Sequence, residues 1–177
     1  MKIGIAGNGK IVGEMIGAAT TVEGITIEAI CAREKSRAKA EKIADEYGIA
    51  KVYTDYSKML ADSDIDFIYV AVANNVHYQY TKQALLAGKN VICEKPFTVN
   101  AQETEELVQI AKEKNLFLFE AITVIYSPNY QYIKDNLSEI GALHYVHANY
   151  AQYSSRYDKY LNKEVAPAFN PENAGGA

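Results

Sequence analysis

Residues 1–17 read MKIGIAGNGKIVGEMIG. Ile3, Ile5 and Ala6 make a short apolar run, and Gly7, Asn8 and Gly9 turn the chain. Ile11, Met15 and Ala19 then recur at helical spacing, with Val12 and Ile16 beside them. A strand, a glycine turn and a helix in succession suit a phosphate. The glycines let the backbone approach a pyrophosphate, and the helix N-terminus offers unpaired N–H groups and a partial positive charge. The dinucleotide fingerprint asks for small residues at three marks. Gly7 and Gly9 take two of them, while the third falls on Val12, with Gly13 one residue late. Taken alone, the stretch also reads as an ordinary glycine turn of any α/β protein.

The rhythm continues outward from this turn. Strands are expected at residues 25–31, 51–53, 67–72, 91–93 and 116–119. Helices are expected at 34–47, 56–60, 76–86 and 100–115. Gly48 closes the second helix, and Asn100 with Glu103 forms a capping box at the start of the last. The run at 67–72 is apolar without alternation, which fits a central parallel strand covered on both faces. Strands alternating with helices imply a parallel sheet with right-handed crossovers. The fold class is therefore α/β: a doubly wound parallel-sheet Rossmann domain over residues 1–120. The pattern then changes. A helix is expected at 129–140 and one long strand at 142–153, before a polar end at 173–177. One strand cannot make a sheet. Residues 121–177 are read as the truncated start of an α+β domain.

Composition narrows the function classes. Apolar residues make up 49% of the 177, charged residues 23%, and the net charge is −4. No basic stripe marks a nucleic-acid partner. No apolar run approaches the ~18 residues of a membrane helix, and the N-terminus does not read as a secretion signal. Cys31 and Cys93 each end an apolar run. They read as buried free thiols of a reducing cytoplasm, not as a disulfide or a nucleophile.

Ligands bind at the carboxyl ends of strands in open α/β sheets. The second strand ends in Cys31-Ala32-Arg33, where an NAD site would carry an acid. A guanidinium there suits a 2′-phosphate or stacks on adenine. NADP is therefore favoured, with NAD possible. The alternative is that Arg33, Lys35 and Arg37 are only a solvated helix start. Two further strand ends carry polar groups, AVANNVH at 71–77 and VICEKPF at 91–97. Pro96 fits a cis bond or a fixed turn that aims Lys95 into the crevice. A lysine there can hold a substrate hydroxyl or the cofactor amide and keep the reacting partners in place. By itself Glu94-Lys95 also reads as a surface ion pair.

GNGKIVG, AVANNVH and ALLAGKNVICEKP together resemble the glucose–fructose oxidoreductase / inositol dehydrogenase (Gfo/Idh/MocA) family over the whole chain. FLFEA followed by Pro128 is most similar to its dihydrodiol dehydrogenase-like branch. The resemblance implies hydride transfer between NAD(P) and a sugar, polyol or related alcohol. It also implies a second domain whose sheet often makes a homo-oligomer interface. Carried over by resemblance, Gly7, Asn8, Gly9, Lys10 and Ile11 bind pyrophosphate, and Arg33 faces the adenosine ribose. Val72 contacts the cofactor, Asn74 and His77 line the nicotinamide side, Glu94 holds its ribose, and Lys95 is the catalytic lysine. His77 has a rival reading as a residue that caps or packs the following helix. The chain departs from the family pattern at Val72-Ala73, where Thr-Pro is usual, and at Ile125-Tyr126, where an Arg-aromatic pair is frequent. Gly175-Gly176 resembles the start of the motif that supplies an acid and a histidine, neither of which follows here. Lys95 is thus expected to stand without its acid/base partners. The alternative function is a non-catalytic nucleotide sensor or assembly protein of the same fold.

Overall fold

The computed structural model describes residues 1–154, 157–164 and 170–171. The chain forms β1 (Lys2–Ala6), α1 (Lys10–Ala19), β2 (Thr26–Cys31), α2 (Arg37–Tyr47), β3 (Lys51–Tyr53) and α3 (Tyr56–Leu60). It continues with β4 (Phe67–Val70), α4 (His77–Leu86), β5 (Asn90–Cys93), α5 (Ala101–Glu113) and β6 (Leu118–Glu120). Two helices follow, α6 (Pro128–Asn136) and α7 (Tyr157–Leu161). The strands lie in the order β3-β2-β1-β4-β5-β6, and every neighbouring pair is parallel. This is the expected doubly wound sheet, with its change of direction between β1 and β4.

Alternate residues of each central strand point to opposite faces and feed two apolar layers. Ile3, Ile5, Ile30 and Tyr69 pack with Val12 and Ile16 of α1 and Ala40 and Ala44 of α2. Ile68, Val70, Val91 and Cys93 pack with Leu85 of α4 and Leu107 of α5. Val12, the misfit at the third glycine mark, is fully buried in the first layer. A branched side chain thus makes the close helix–strand contact usually left to a small residue. Gly48 closes α2 at φ 68°. Asn100 caps α5 by accepting from the Glu103 amide at 2.9 Å, and Glu103 Oε2 accepts in return from the Val99 amide at 3.3 Å.

Several expected boundaries move. The run at 67–72 leaves the ladder after Val70, the last bond to β1 being the Ala71 amide donating to the Ala6 carbonyl at 2.8 Å. The sixth strand is Leu118–Glu120, not 116–119. Helix 34–47 opens with a 3-10 turn at Glu34–Ser36, and helix 129–140 ends in one at Leu137–Ile140. One element is absent. Residues 142–153 form no strand and are exposed. Their pattern is that of a strand, but a strand needs a neighbour to receive its amides and carbonyls. Gly175-Gly176 and the rest of 173–177 lie outside the described residues. Among the described residues, no helix is long and apolar enough to cross a membrane.

Candidate dinucleotide cleft and reaction site

The last residues of all six strands form one row across the sheet. Tyr53 pairs with Cys31, Cys31 with Ala6, Ala6 with Val70, Val70 with Cys93, and Cys93 with Glu120. The next residues leave together at one edge, still tied to their neighbours. The amides of Ala32, Gly7, Glu94 and Ala121 donate to Tyr53, Cys31, Val70 and Cys93 at 3.0, 2.8, 2.9 and 2.8 Å. The glycine turn and Glu94-Lys95 therefore emerge at the same rim. Two strand spacings, about 10 Å, separate them.

At this rim lies a cleft of about 720 Å³, lined by Gly7, Asn8, Gly9, Arg33, Val72 and Asn74 among others. Gly7 has φ +125°, and a Cβ there would stand 2.2 Å from the Ala71 carbonyl oxygen. Only glycine lets the turn pass so close to the β4 end. Gly9 serves the opposite need: nothing lies within 4 Å of its Cβ position, which faces open space. It is the N-cap of α1, with no side-chain cap and no acid in the first turn. The helix end therefore keeps its positive pole for an incoming anion. The open space over Gly9 and this uncapped end fit a dinucleotide diphosphate. Asn8 Nδ2 donates to the Ser36 carbonyl at 3.0 Å and so joins the glycine turn to the loop after β2.

Arg33 and Arg37 part company. Arg37 pairs with Glu41 at 2.8 Å and Glu34 at 3.9 Å, while Arg33 borders the cleft. Beyond Arg33 the wall is built by Ser36, Thr54, Tyr56, Asn75 and Tyr80, of which only Asn75 lay in a stretch that stood out in the sequence. Thr54 could have been found by its place directly after β3. Tyr56 and Tyr80 come together only in space, with ring centroids 4.6 Å apart. Tyr56 also donates its hydroxyl to the Tyr80 carbonyl at 3.0 Å.

Lys10 and Ile11 open α1, their side chains turned outward; Lys10 lies 3.6 Å from Glu14. Neither residue lines the cleft. His77 is 1% exposed and does not border the cleft. Its Nδ1 lies 2.8 Å from the Pro96 carbonyl and its Nε2 3.2 Å from that of Val72. The ring lies between the loop after β4 and the loop after β5, against one backbone carbonyl of each.

The Lys95–Pro96 peptide is cis, and Lys95 is exposed. Glu94 is half-buried and fixed at both oxygens. Oε1 accepts from the Tyr69 hydroxyl at 2.5 Å and Oε2 from the Lys95 amide at 3.2 Å. Burial, and then the hydrogen bond to Glu94, push the Tyr69 hydroxyl far above its ordinary range, so it remains a donor. Tyr69 was missed because it sits inside an unbroken apolar run. Cys31 and Cys93 are free and buried, and desolvation raises their thiols to about 11 and about 12. Burial thus holds both as neutral thiols rather than thiolates.

Comparison with known proteins agrees with this geometry. Residues 1–122 match the family model GFO_IDH_MocA, described as an oxidoreductase family with an NAD-binding Rossmann fold. Over 177 residues the chain is 33% identical to scyllo-inositol 2-dehydrogenase (NADP(+)) IolU of Bacillus subtilis (strain 168), covering all of this chain and 53% of the relative. It is 31% identical over 166 residues to trans-1,2-dihydrobenzene-1,2-diol dehydrogenase of Xenopus tropicalis, covering 93% of this chain and 50% of the relative. A similar solved structure is KijD10, a 3-ketoreductase from Actinomadura kijaniata in complex with TDP-benzene and NADP. Its TM-score is 0.73 at 27% identity, over 78% of this chain and 43% of that one. The chain spans about half the length of the curated relatives it matches.

Proposed function

Because the chain belongs to the Gfo/Idh/MocA oxidoreductase family, we propose that it carries the cofactor half of an NAD(P)-dependent enzyme acting on CH–OH groups of a sugar, polyol or related alcohol. The observation that carries this reading is the common row of strand ends, from which the glycine turn and Lys95 leave at one rim. The relatives named as dehydrogenases favour it over a sensor of the same fold.

Gly7, Asn8, Gly9 and the first amides of α1 hold the diphosphate. Arg33, with Ser36 beside it, faces the adenosine ribose and favours the 2′-phosphate of NADP, as a guanidinium matches phosphate geometry. Val72 and Asn74 line the path toward nicotinamide, whose ribose Glu94 holds. A bound nicotinamide dinucleotide supplies the hydride chemistry. Lys95 orients the reacting carbinol by donating hydrogen bonds to its oxygen. We assign residues 121–177 to the beginning of a second domain, supported by the sheet's last strand ending at Glu120. That domain's sheet would form the homo-oligomer contact. The two free buried thiols fit a reducing cytoplasm.

The test is a fluorescence titration of the chain with NADPH and NADH. NADPH is expected to bind at least several-fold tighter, and Arg33→Ala to abolish the difference. Equal wild-type curves would remove the NADP preference, and no binding of either would remove the function.

A further inference from the structure

Three backbone atoms of the Lys95 loop are each held by a different side chain. The Lys95 amide donates to Glu94 Oε2 at 3.2 Å, and the Pro96 carbonyl lies 2.8 Å from His77 Nδ1. The Phe97 amide donates to Glu120 Oε1 at 3.0 Å. Pro96 has no amide of its own, so every amide from residue 95 to 97 ends on a carboxylate. Glu94 belongs to the loop and His77 to α4. Glu120 comes from the edge strand, 23 residues away in sequence from the amide it holds.

The root of Glu120 is itself fixed. It stands opposite Cys93 in the β5–β6 register, and the following amide, Ala121, donates to the Cys93 carbonyl at 2.8 Å. The residue before Glu94 and the residue that holds Phe97 are thus locked to one another. Between Cys93 and the held Phe97 lie only Glu94, Lys95 and Pro96.

We propose that Glu120 is a positioning residue: by holding the Phe97 amide it fixes where the Lys95 ammonium stands over the strand ends. The proposal rests on the reading of Lys95 as the reaction-site lysine and deepens it. Glu120 acts here as an acceptor of one hydrogen bond. An amide oxygen can replace it, and a methyl group cannot.

The test compares this chain with Glu120→Gln and Glu120→Ala by hydrogen exchange and by NMR of lysines carrying 13C-methyl labels, Lys95 being assigned through Lys95→Arg. Far-UV circular dichroism checks that each variant is folded. In Glu120→Ala the Phe97 amide should exchange about tenfold faster, from the loss of one charge-assisted hydrogen bond, and in Glu120→Gln within about twofold of wild type. Saturating NADPH should shift the Lys95 signal in the wild type and in Glu120→Gln, and the shift should be lost in Glu120→Ala. Cofactor affinity should stay within about twofold in both variants, because Glu120 is remote from the glycine turn. Wild-type protection of Phe97 or a wild-type Lys95 shift in Glu120→Ala overturns the proposal, as does Glu120→Gln behaving like Glu120→Ala. A wild-type chain that binds NADPH without any Lys95 shift overturns the assignment of Lys95 itself, a separate result.

Discussion

Replacing Gly7 by alanine drives a methyl group into the wall of the cofactor turn. The new Cβ would lie 2.2 Å from the Ala71 carbonyl oxygen and 2.8 Å from its carbon, on a residue with φ +125°. The carbonyl has little room to retreat, because the Ala71 amide is bonded to the Ala6 carbonyl at 2.8 Å. An L-residue held at such a φ costs roughly 1–3 kcal/mol, and the steric overlap roughly 1–3 kcal/mol more, so the variant should lose about 3 kcal/mol. With a urea m-value of about 2 kcal/mol/M, the unfolding midpoint should fall by about 1.5 M. Gly9→Ala is the internal contrast. Gly9 has φ −72° and ψ 179°, which any residue adopts, and nothing lies within 4 Å of its Cβ position. Its midpoint should stay within a few tenths of a molar of wild type, as the freedom lost by the unfolded chain offsets alanine's poorer fit at a helix N-cap. Its NADPH affinity should nevertheless fall at least about tenfold, or about 1.4 kcal/mol, because the methyl group occupies the space for the diphosphate. A Gly7→Ala midpoint equal to wild type would refute the close approach to Ala71. A Gly9→Ala affinity equal to wild type would refute the phosphate cradle.

Three other outcomes follow from the structure. Lys51 holds the Asp62 carboxyl down to about 2, chiefly by a hydrogen bond, with the Asp64 amide and the Tyr53 hydroxyl adding to it. A carboxyl with a depressed folded pKa stabilises fully above its unfolded value near 4 and loses that contribution as pH falls through the folded value. Urea midpoints measured from pH 5 down to pH 3 should therefore drop less for Asp62→Asn than for the wild type, and parallel curves would contradict the pairing. Cys31 and Cys93, raised to about 11 and about 12 by burial, should resist a thiol reagent at pH 8 until urea unfolds the chain; prompt reaction of the native protein would contradict their burial. Leu107 is fully buried between α5 and the sheet, so Leu107→Ala should cost about 2–5 kcal/mol in urea unfolding, and a loss under 1 kcal/mol would contradict its place in the core.

The sheet was legible in the sequence because its signals are local. Unbroken apolar runs at 67–72, a strand as far as Val70, and at 91–93, the glycine turn at 7–9 and the Asn100–Glu103 cap each follow from neighbouring residues. The strand expected at 142–153 failed for a non-local reason: its residues suit a strand, but among the described residues no other strand lies beside them. The site divided along the same line. Gly7, Asn8, Gly9, Arg33, Val72 and Asn74 are strand-end or turn residues and meet in one cleft. His77, Tyr69 and Glu120 act by contacts 19, 25 and 23 residues away in sequence, which periodicity cannot show. Tyr69 was hidden further by its apolar neighbours, since a hydroxyl at the tip of a core ring leaves no mark on the pattern.

A crystal structure of this chain with NADPH tests the central claim most directly. The account expects the diphosphate on the amides of Gly9 and the first turn of α1, and the nicotinamide at the ends of β4 and β5, beside Lys95. A cofactor that sits on the glycine turn but sends its nicotinamide away from Lys95, or that binds at the opposite rim of the sheet, would contradict it.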